Sequence, residues 1–296
     1  MPSYRFCRPD DIPFLVRSIN ECYLAHFPGL AEMTVERFRD EMKGIDLWPS
    51  NSMIAVSGDD PLGVLIGTKR ADAVRILRIG IRPQDQRQGH SLHMITSLGQ
   101  KLAVLGPERL VAEVPAGFPG AAELLTAAGY WQETHYTDFV RPPAPAEPVP
   151  KGWLLPITVD ELDALDLLPS ADLAWERSAA TLRNRTEELA GFAIASDRVE
   201  AYALVAPAAL DDPGVSQGRS PRLPEGSADV LALAGQESEQ RDAFYGILLR
   251  HLAATTPGAL RLPKLAKSEV PRSVLDAAGF QPGERWDRWA GRAIPA

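Results

Sequence analysis

Cysteine is nearly absent: Cys7 and Cys22 are the only two in 296 residues, and they have no CxxC spacing. A disulfide scaffold and a cysteine-rich zinc site are thereby excluded, and the usage suits a reducing compartment. Long apolar runs are missing as well. Stretches such as Val230-Leu231-Ala232-Leu233-Ala234 fall far short of a bilayer span. The opening residues, Met1-Pro2-Ser3-Tyr4-Arg5-Phe6-Cys7-Arg8, contain no apolar core of a secretion signal. The expectation is a cytoplasmic protein without a membrane partner. Basic charge is in deficit: Lys plus Arg total 31 against 39 Asp plus Glu, a formal charge of −8. Nucleic-acid binders concentrate basic charge on one face, so no nucleic-acid partner is expected. Two phosphate-binding signatures are lacking, GxxxxGK[ST] and a GxGxxG after a strand.

What is present is the mix of a globular protein, 45% hydrophobic and 24% charged, in a chain long enough for two cores. The run Arg141-Pro142-Pro143-Ala144-Pro145-Ala146-Glu147-Pro148-Val149-Pro150-Lys151-Gly152 carries five prolines in nine residues. Neither a helix nor a central strand can continue through it, and it reads as a semi-rigid linker. The expected division is a first domain over 1–141, a linker over 142–152 and a second domain over 153–296. A second stretch rich in proline, glycine, serine and aspartate, 207–226, reads as a surface loop.

Periodicity predicts a similar order of elements on both sides of the linker. In the first half it gives a strand at 4–7, a helix opened by Asp10-Asp11, a helix from Thr34 to 42 and a hairpin of strands 53–57 and 63–69. A buried strand at 74–81, a helix at 89–105, a strand at 110–114, a helix at 121–128 and a strand at 131–140 follow. In the second half it gives helices at 159–165 and 175–184 and strands at 191–195, 200–205 and 229–234. A helix at 240–253, a strand at 260–262, a helix at 270–278 and a strand at 284–289 complete it. At an offset of 150, residues 107–130 run without a gap against 257–280 with seven of 24 positions identical, including Ala127-Ala128-Gly129 against Ala277-Ala278-Gly279. A duplication explains this better than the general liking of helix ends for glycine.

The run richest in chemical signal is Ile79-Gly80-Ile81-Arg82-Pro83-Gln84-Asp85-Gln86-Arg87-Gln88-Gly89-His90-Ser91. A strand stops at the proline, a polar loop follows, and a helix begins near Gly89. Such a helix start points unpaired N–H groups outward, where the macrodipole also favours an anion. Gly89 permits close approach to the backbone, while Arg82 and Arg87 add positive charge. The loop suits a pyrophosphate.

Gln86-x-x-Gly89-x-Ser91 resembles the [QR]-x-x-G-x-[GA] signature of the GNAT N-acetyltransferase superfamily, with serine in the last place. The likeness covers the first half, where strand, loop, helix, strand and the helix ending Ala128-Gly129-Tyr130 follow the family's order. It implies an α/β (α+β) fold of two tandem GNAT-like domains, each a mixed, mostly antiparallel twisted sheet flanked by helices. It also implies an acetyl-CoA site, with the pantetheine arm on the backbone of Ile79 and Ile81. The pyrophosphate would rest on the amides of Gln86, Arg87, Gln88, Gly89, His90 and Ser91. The implied reaction is direct acetyl transfer to a small-molecule or peptide amine, in a monomer or homodimer. The alternative is a GNAT-like module that holds CoA or an acyl-CoA without turnover. The second half has Gly235-Gln236-Glu237-Ser238-Glu239-Gln240-Arg241-Asp242 in place of the loop, whose carboxylates would repel a pyrophosphate. CoA is therefore expected in the N-terminal half only.

Family members often place an acid on the fourth strand and a tyrosine in the later helix. This sequence has Leu77-Arg78 and Leu125 there. The candidates for proton transfer are Glu113 on the fifth strand, Glu21 and His26 late in the first helix, and His135 on the final strand. Each has a structural reading beside it: a solvated face for Glu21, a helix end for His26, an outward carboxylate for Glu113, a core or surface place for His135 or its neighbour Tyr136. His90 and His93 lie three apart on a helix but lack a third ligand, so no metal is expected. Trp131, Trp175, Trp286 and Trp289 read as core or interface anchors.

Overall fold

A computed structural model describes residues 2–27, 30–143, 154–169, 173–208 and 223–294. The linker core and most of the 207–226 loop lie outside the described residues. The chain divides into two compact units: Met1–Thr134 with Asp287–Ala296, and His135–Leu210 with Ser220–Trp286. Compactness thus groups the end of the chain with the first half, whereas the sequence places the boundary at the linker.

Unit 1 opens with β1 (Ser3–Phe6) and α1 (Ile12–Ser18), which continues through a widened π turn at Ile19–Tyr23 and a 3-10 turn at Leu24–His26. Its second helix, α2 (Val35–Gly44), starts where expected because Thr34 Oγ1 accepts from the Arg37 amide. The hairpin β2 (Met53–Ser57) and β3 (Asp60–Lys69) leads into β4 (Ala73–Ile81) and α3 (His90–Leu105). Then come β5 (Arg109–Pro115), α4 (Ala121–Ala127) and the first four residues of β6 (Trp131–Arg141), whose stretch from His135 onward belongs to unit 2. Strands β1 to β4 pair antiparallel in sequence order, and β4 pairs parallel with β5. The stretch of β12 (Gln281–Arg292) that falls in unit 1 lies beside β5. There Trp289 joins Leu110, Ala112 and Tyr130 in the apolar core, and the Ala293 amide donates to the Glu108 carbonyl. One sheet face packs Leu65, Ile76, Met94, Leu98 and Leu125 with α3 and α4. The other packs Leu15, Ile19, Phe38, Val64 and Ile66 with α1 and α2.

Unit 2 repeats this plan with β7 (Leu154–Pro156), α5 (Val159–Ala164), α6 (Ala179–Asn184), β8 (Ala190–Ala195) and β9 (Val199–Pro207). It continues with β10 (Ala228–Gly235), α7 (Arg241–Thr255), β11 (Leu260–Leu265) and α8 (Arg272–Ala277). Strands β7 to β10 pair antiparallel, β10 and β11 pair parallel, and β11 pairs antiparallel with β6. Each unit is a mixed, mostly antiparallel sheet with helices on it. The three-residue β7, counterpart of β1, is the element that periodicity does not show, being too short to alternate. The expected helix at 175–184 is broken at Ser178, whose backbone is extended between the 3-10 turn Trp175–Arg177 and α6. Trp175 and Trp286 are buried in unit 2, Trp289 is buried in unit 1, and Trp131 is half exposed.

Candidate active site

The parallel pairing of β4 with β5 ends at Ile76↔Ala112, although β4 runs on to Ile81 and β5 to Pro115. A bulge drives the parting. Ile66 faces Arg78 and Gly67 faces Ile76, so Leu77 is an extra residue on β4 that bends it away. The edges of the two strands beyond this point enclose a fork within unit 1. A cavity of about 900 Å³ fills it, lined among others by Ile76, Ile79, Ile81, Ala112 and Val114. Gly80 brings the π turn of α1 down onto this strand: a Cβ there would lie 2.4 Å from the Cys22 carbonyl oxygen.

At the end of β4 the loop forms the cavity's polar wall. Arg87 and Gly89 both take positive φ, +63° and +84°, which turns the chain sharply into α3. Gly89 is the residue before the helix, and a Cβ on it would meet nothing within 4 Å. The N–H groups of His90, Ser91 and Leu92 therefore open α3 without helix carbonyls to accept them, and the first within-helix bond here is His93 to Gly89. Gln86, Arg87, Gly89, His90 and Ser91 all line the cavity, and Gln88 does not. The His90 ring is buried with Nδ1 2.5 Å from the Tyr4 hydroxyl. Arg82 does not line the cavity, and its guanidinium lies 2.6 Å from the Asp85 carboxylate. The exposed positive charge at the loop is that of Arg87, 87% exposed and 3.9 Å from Glu123.

The proton-transfer candidates separate. His26 lines the cavity, with Nε2 2.7 Å from the Ile81 carbonyl oxygen, which can only accept. Nε2 is therefore the donor of that bond, and the Gln86 side-chain amide lies 3.2 Å from the same nitrogen. This places His26 beside the loop, about 13 Å along the strand from the Leu77 bulge. Glu113 contributes to the cavity wall, yet its carboxylate is 0% exposed and lies 3.5 Å from the buried Arg75 guanidinium. It is neither an outward carboxylate nor a group standing alone in an apolar pocket. Glu21 pairs with Arg17 at 2.7 Å on the surface, and His135 is an exposed residue of unit 2. Neither lines the cavity. Leu125 lines it with an apolar side chain, and Arg78 sits in a two-pronged pair with Glu41, at 2.7 and 3.2 Å. Sequence reasoning overlooks Tyr23, Phe27 and Phe118, which also line the cavity; no motif marks them, and only the fold gathers them. Among the described residues no group of three or more His, Cys, Asp or Glu could hold a metal ion, and no helix is long and apolar enough to cross a membrane.

Unit 2 differs at the same place. Its parallel pairing covers only Ala228↔Leu260 and Asp229↔Arg261. At the next residue, Arg177 enters from the 3-10 turn and donates to the Val230 carbonyl at 3.0 Å, its other prong 2.6 Å from Glu269. That side chain is 1% exposed. A buried ion pair occupies the position where unit 1 begins to open.

No family model matches the sequence, and no curated protein matches it. Solved structures do. A tandem GNAT protein of the clavulanic acid biosynthesis pathway superposes with a TM-score of 0.65 at 16% identity, covering 100% of both chains. A GCN5-related N-acetyltransferase from Sphaerobacter thermophilus gives 0.65 at 16% identity over 100% of this chain and 96% of its own. One from Anabaena variabilis gives 0.61 at 13% identity over 98% and 72%. With a forked sheet, a glycine-opened helix and this likeness over the whole length, the chain has the fold of the GCN5-related N-acetyltransferases in its tandem form.

Proposed function

We propose that this protein is an acetyl-CoA-dependent N-acetyltransferase that binds the coenzyme in its N-terminal half and transfers acetyl directly to an amine. The observation that carries the reading is the open fork of unit 1, with a helix start at its end where Gly89 faces open space. A diphosphate on the amides of residues 89–92 would gain both hydrogen bonds and the helix dipole. The arm leading to the thioester would follow the unpaired edge of β4 at Ile79. The Ile81 carbonyl is already engaged by His26. Unit 2 offers no such place, because Arg177 fills its fork and its helix start carries Glu237, Glu239 and Asp242. Transfer to the neutral amine forms an amide bond and breaks the carbon–sulfur bond, the proton that nitrogen gives up in this step ending on the departing thiolate as CoA thiol; before it, the ammonium must lose a proton. At pH 7 that costs about 4–5 kcal/mol for a lysine-like amine. The carboxylate of Glu113 is buried against Arg75, which leaves His26 on the cavity wall, or solvent, to take this proton. The reducing cytoplasm is the fitting compartment for its two free thiols.

The second reading, a module that holds the coenzyme without turnover, draws on the same burial of Glu113 and on Leu125. Calorimetry with acetyl-CoA and thiol release on an amine panel separate the two. Gly89→Asp puts a carboxylate into the cradle: acetyl-CoA affinity is expected to fall by at least 100-fold. The φ of +84° itself costs a non-glycine residue only about 1–2 kcal/mol. Unchanged affinity in a folded variant refutes the loop assignment.

A further inference from the structure

We propose that the acceptor is a primary amine carried on an aromatic or aliphatic skeleton, held against the rings of Tyr23, Phe27 and Phe118. This rests on the acetyl-CoA reading above and narrows it to a substrate class. The diphosphate cradle lies at the start of α3, whose helix packs on one face of the sheet. An acceptor has to reach the thioester from the other face, that of α1 and α2. There the cavity wall carries three rings, Tyr23 and Phe27 set into the core and Phe118 partly exposed. Tyr23 and Phe27 have centroids 4.9 Å apart, and Phe27 and Phe118 are 6.0 Å apart with planes 28° from parallel. Phe27 follows the turn whose His26 is bonded to the end of β4, and Phe118 follows β5. The rings therefore roof the fork from its two arms. Leu77, the bulge residue, adds an apolar floor and packs with the same cluster.

Charge on this face is balanced. Arg78 pairs with Glu41 and Arg75 with Glu113, two cations with two carboxylates. Neither pair offers an uncompensated charge to a polyanionic or polycationic acceptor. A sugar or hydroxy-amine would surrender water hydrogen bonds to an apolar wall. Ring faces, by contrast, accept both a hydrocarbon body and a single arriving ammonium.

The test uses the full chain, acetyl-CoA and thiol release with 2-phenylethylamine, hexylamine, ethanolamine, glucosamine and spermidine. Expected is a kcat/KM for the first two about 10²-fold above that for ethanolamine. Phe118→Ala should raise the KM for 2-phenylethylamine tenfold or more while the KM for acetyl-CoA stays put, and Phe118→Leu should recover part of the loss. Equal or better use of the polar amines overturns the inference, as does coenzyme binding without turnover on any amine. So does a tenfold preference for octanoyl-CoA with no advantage for the apolar amines, which would assign the rings to the acyl chain. In each of these cases calorimetric binding of CoA to the wild-type chain leaves the coenzyme site standing. Absence of CoA binding removes that site and this inference together.

Discussion

At the scale of single residues, burial decides what a group can do more than its chemical type. Cys7 and Cys22 would be reactive thiols in water, but desolvation pushes both up to about 12, far above the ordinary value. At pH 8 they are thiols, not thiolates, and should be inert. Titration with a disulfide reagent is expected to find no reactive cysteine in the native chain and two in guanidinium. Rapid native reaction at either would mean that α1 opens away from β1 or β4. Glu113 follows the same logic with a different partner. Placed between Ala112 and Val114, it reads from sequence as a carboxylate in an apolar strand. The guanidinium that meets it comes from Arg75, whose relation to it no spacing rule reveals. Gly89 is the opposite case: a glycine at the start of a helix is legible in the sequence, and the structure has it there, with a φ of +84°.

At the scale of elements, the two forks show one topology with two outcomes. The parallel strand pair, the bulge on its first member and the helix between recur in both units. In unit 1 the bulge leaves an opening; in unit 2 Arg177 and Glu269 fill it. Breaking a buried pair leaves one charge uncompensated, which typically costs about 3–5 kcal/mol. Arg177→Met is therefore expected to lower the denaturation midpoint of the full chain strongly. Adding Glu269→Gln should recover most of it, and a double-mutant cycle in urea measures the coupling. Additive effects would show that the pair is no plug. The acidic loop of the second half is legible in its sequence. Nothing in local sequence forecasts the arginine, because it arrives from a turn 53 residues earlier than the strand it caps.

At the scale of the whole molecule, neither half of the chain completes a unit alone. Unit 1 takes in Asp287–Ala296, and with it Trp289, which is 9% exposed in the core beside Tyr130 and Leu110. A fragment of residues 1–143 leaves that edge of β5 and its apolar neighbours bare. It should bind a hydrophobic dye and self-associate on gel filtration; a monomeric, dye-silent fragment would contradict the unit's composition. Trp289→Ala in the full chain should cost about 3–5 kcal/mol of stability, as deletion of a large core aromatic does.

Composition and periodicity by themselves determined most of the element order, the two-half plan and the glycine-opened helix. Those depend on local backbone preference and on which side chains alternate, information carried within about twenty residues. The tertiary structure alone decided that β4 parts from β5 at a bulge, that Arg75 meets Glu113, and that three rings from α1 and the segment after β5 share one wall. It also decided which strand finishes each unit. These are contacts between residues far apart in the chain, and strand-edge pairing and ion pairing are satisfied in space, with no periodic trace along the sequence.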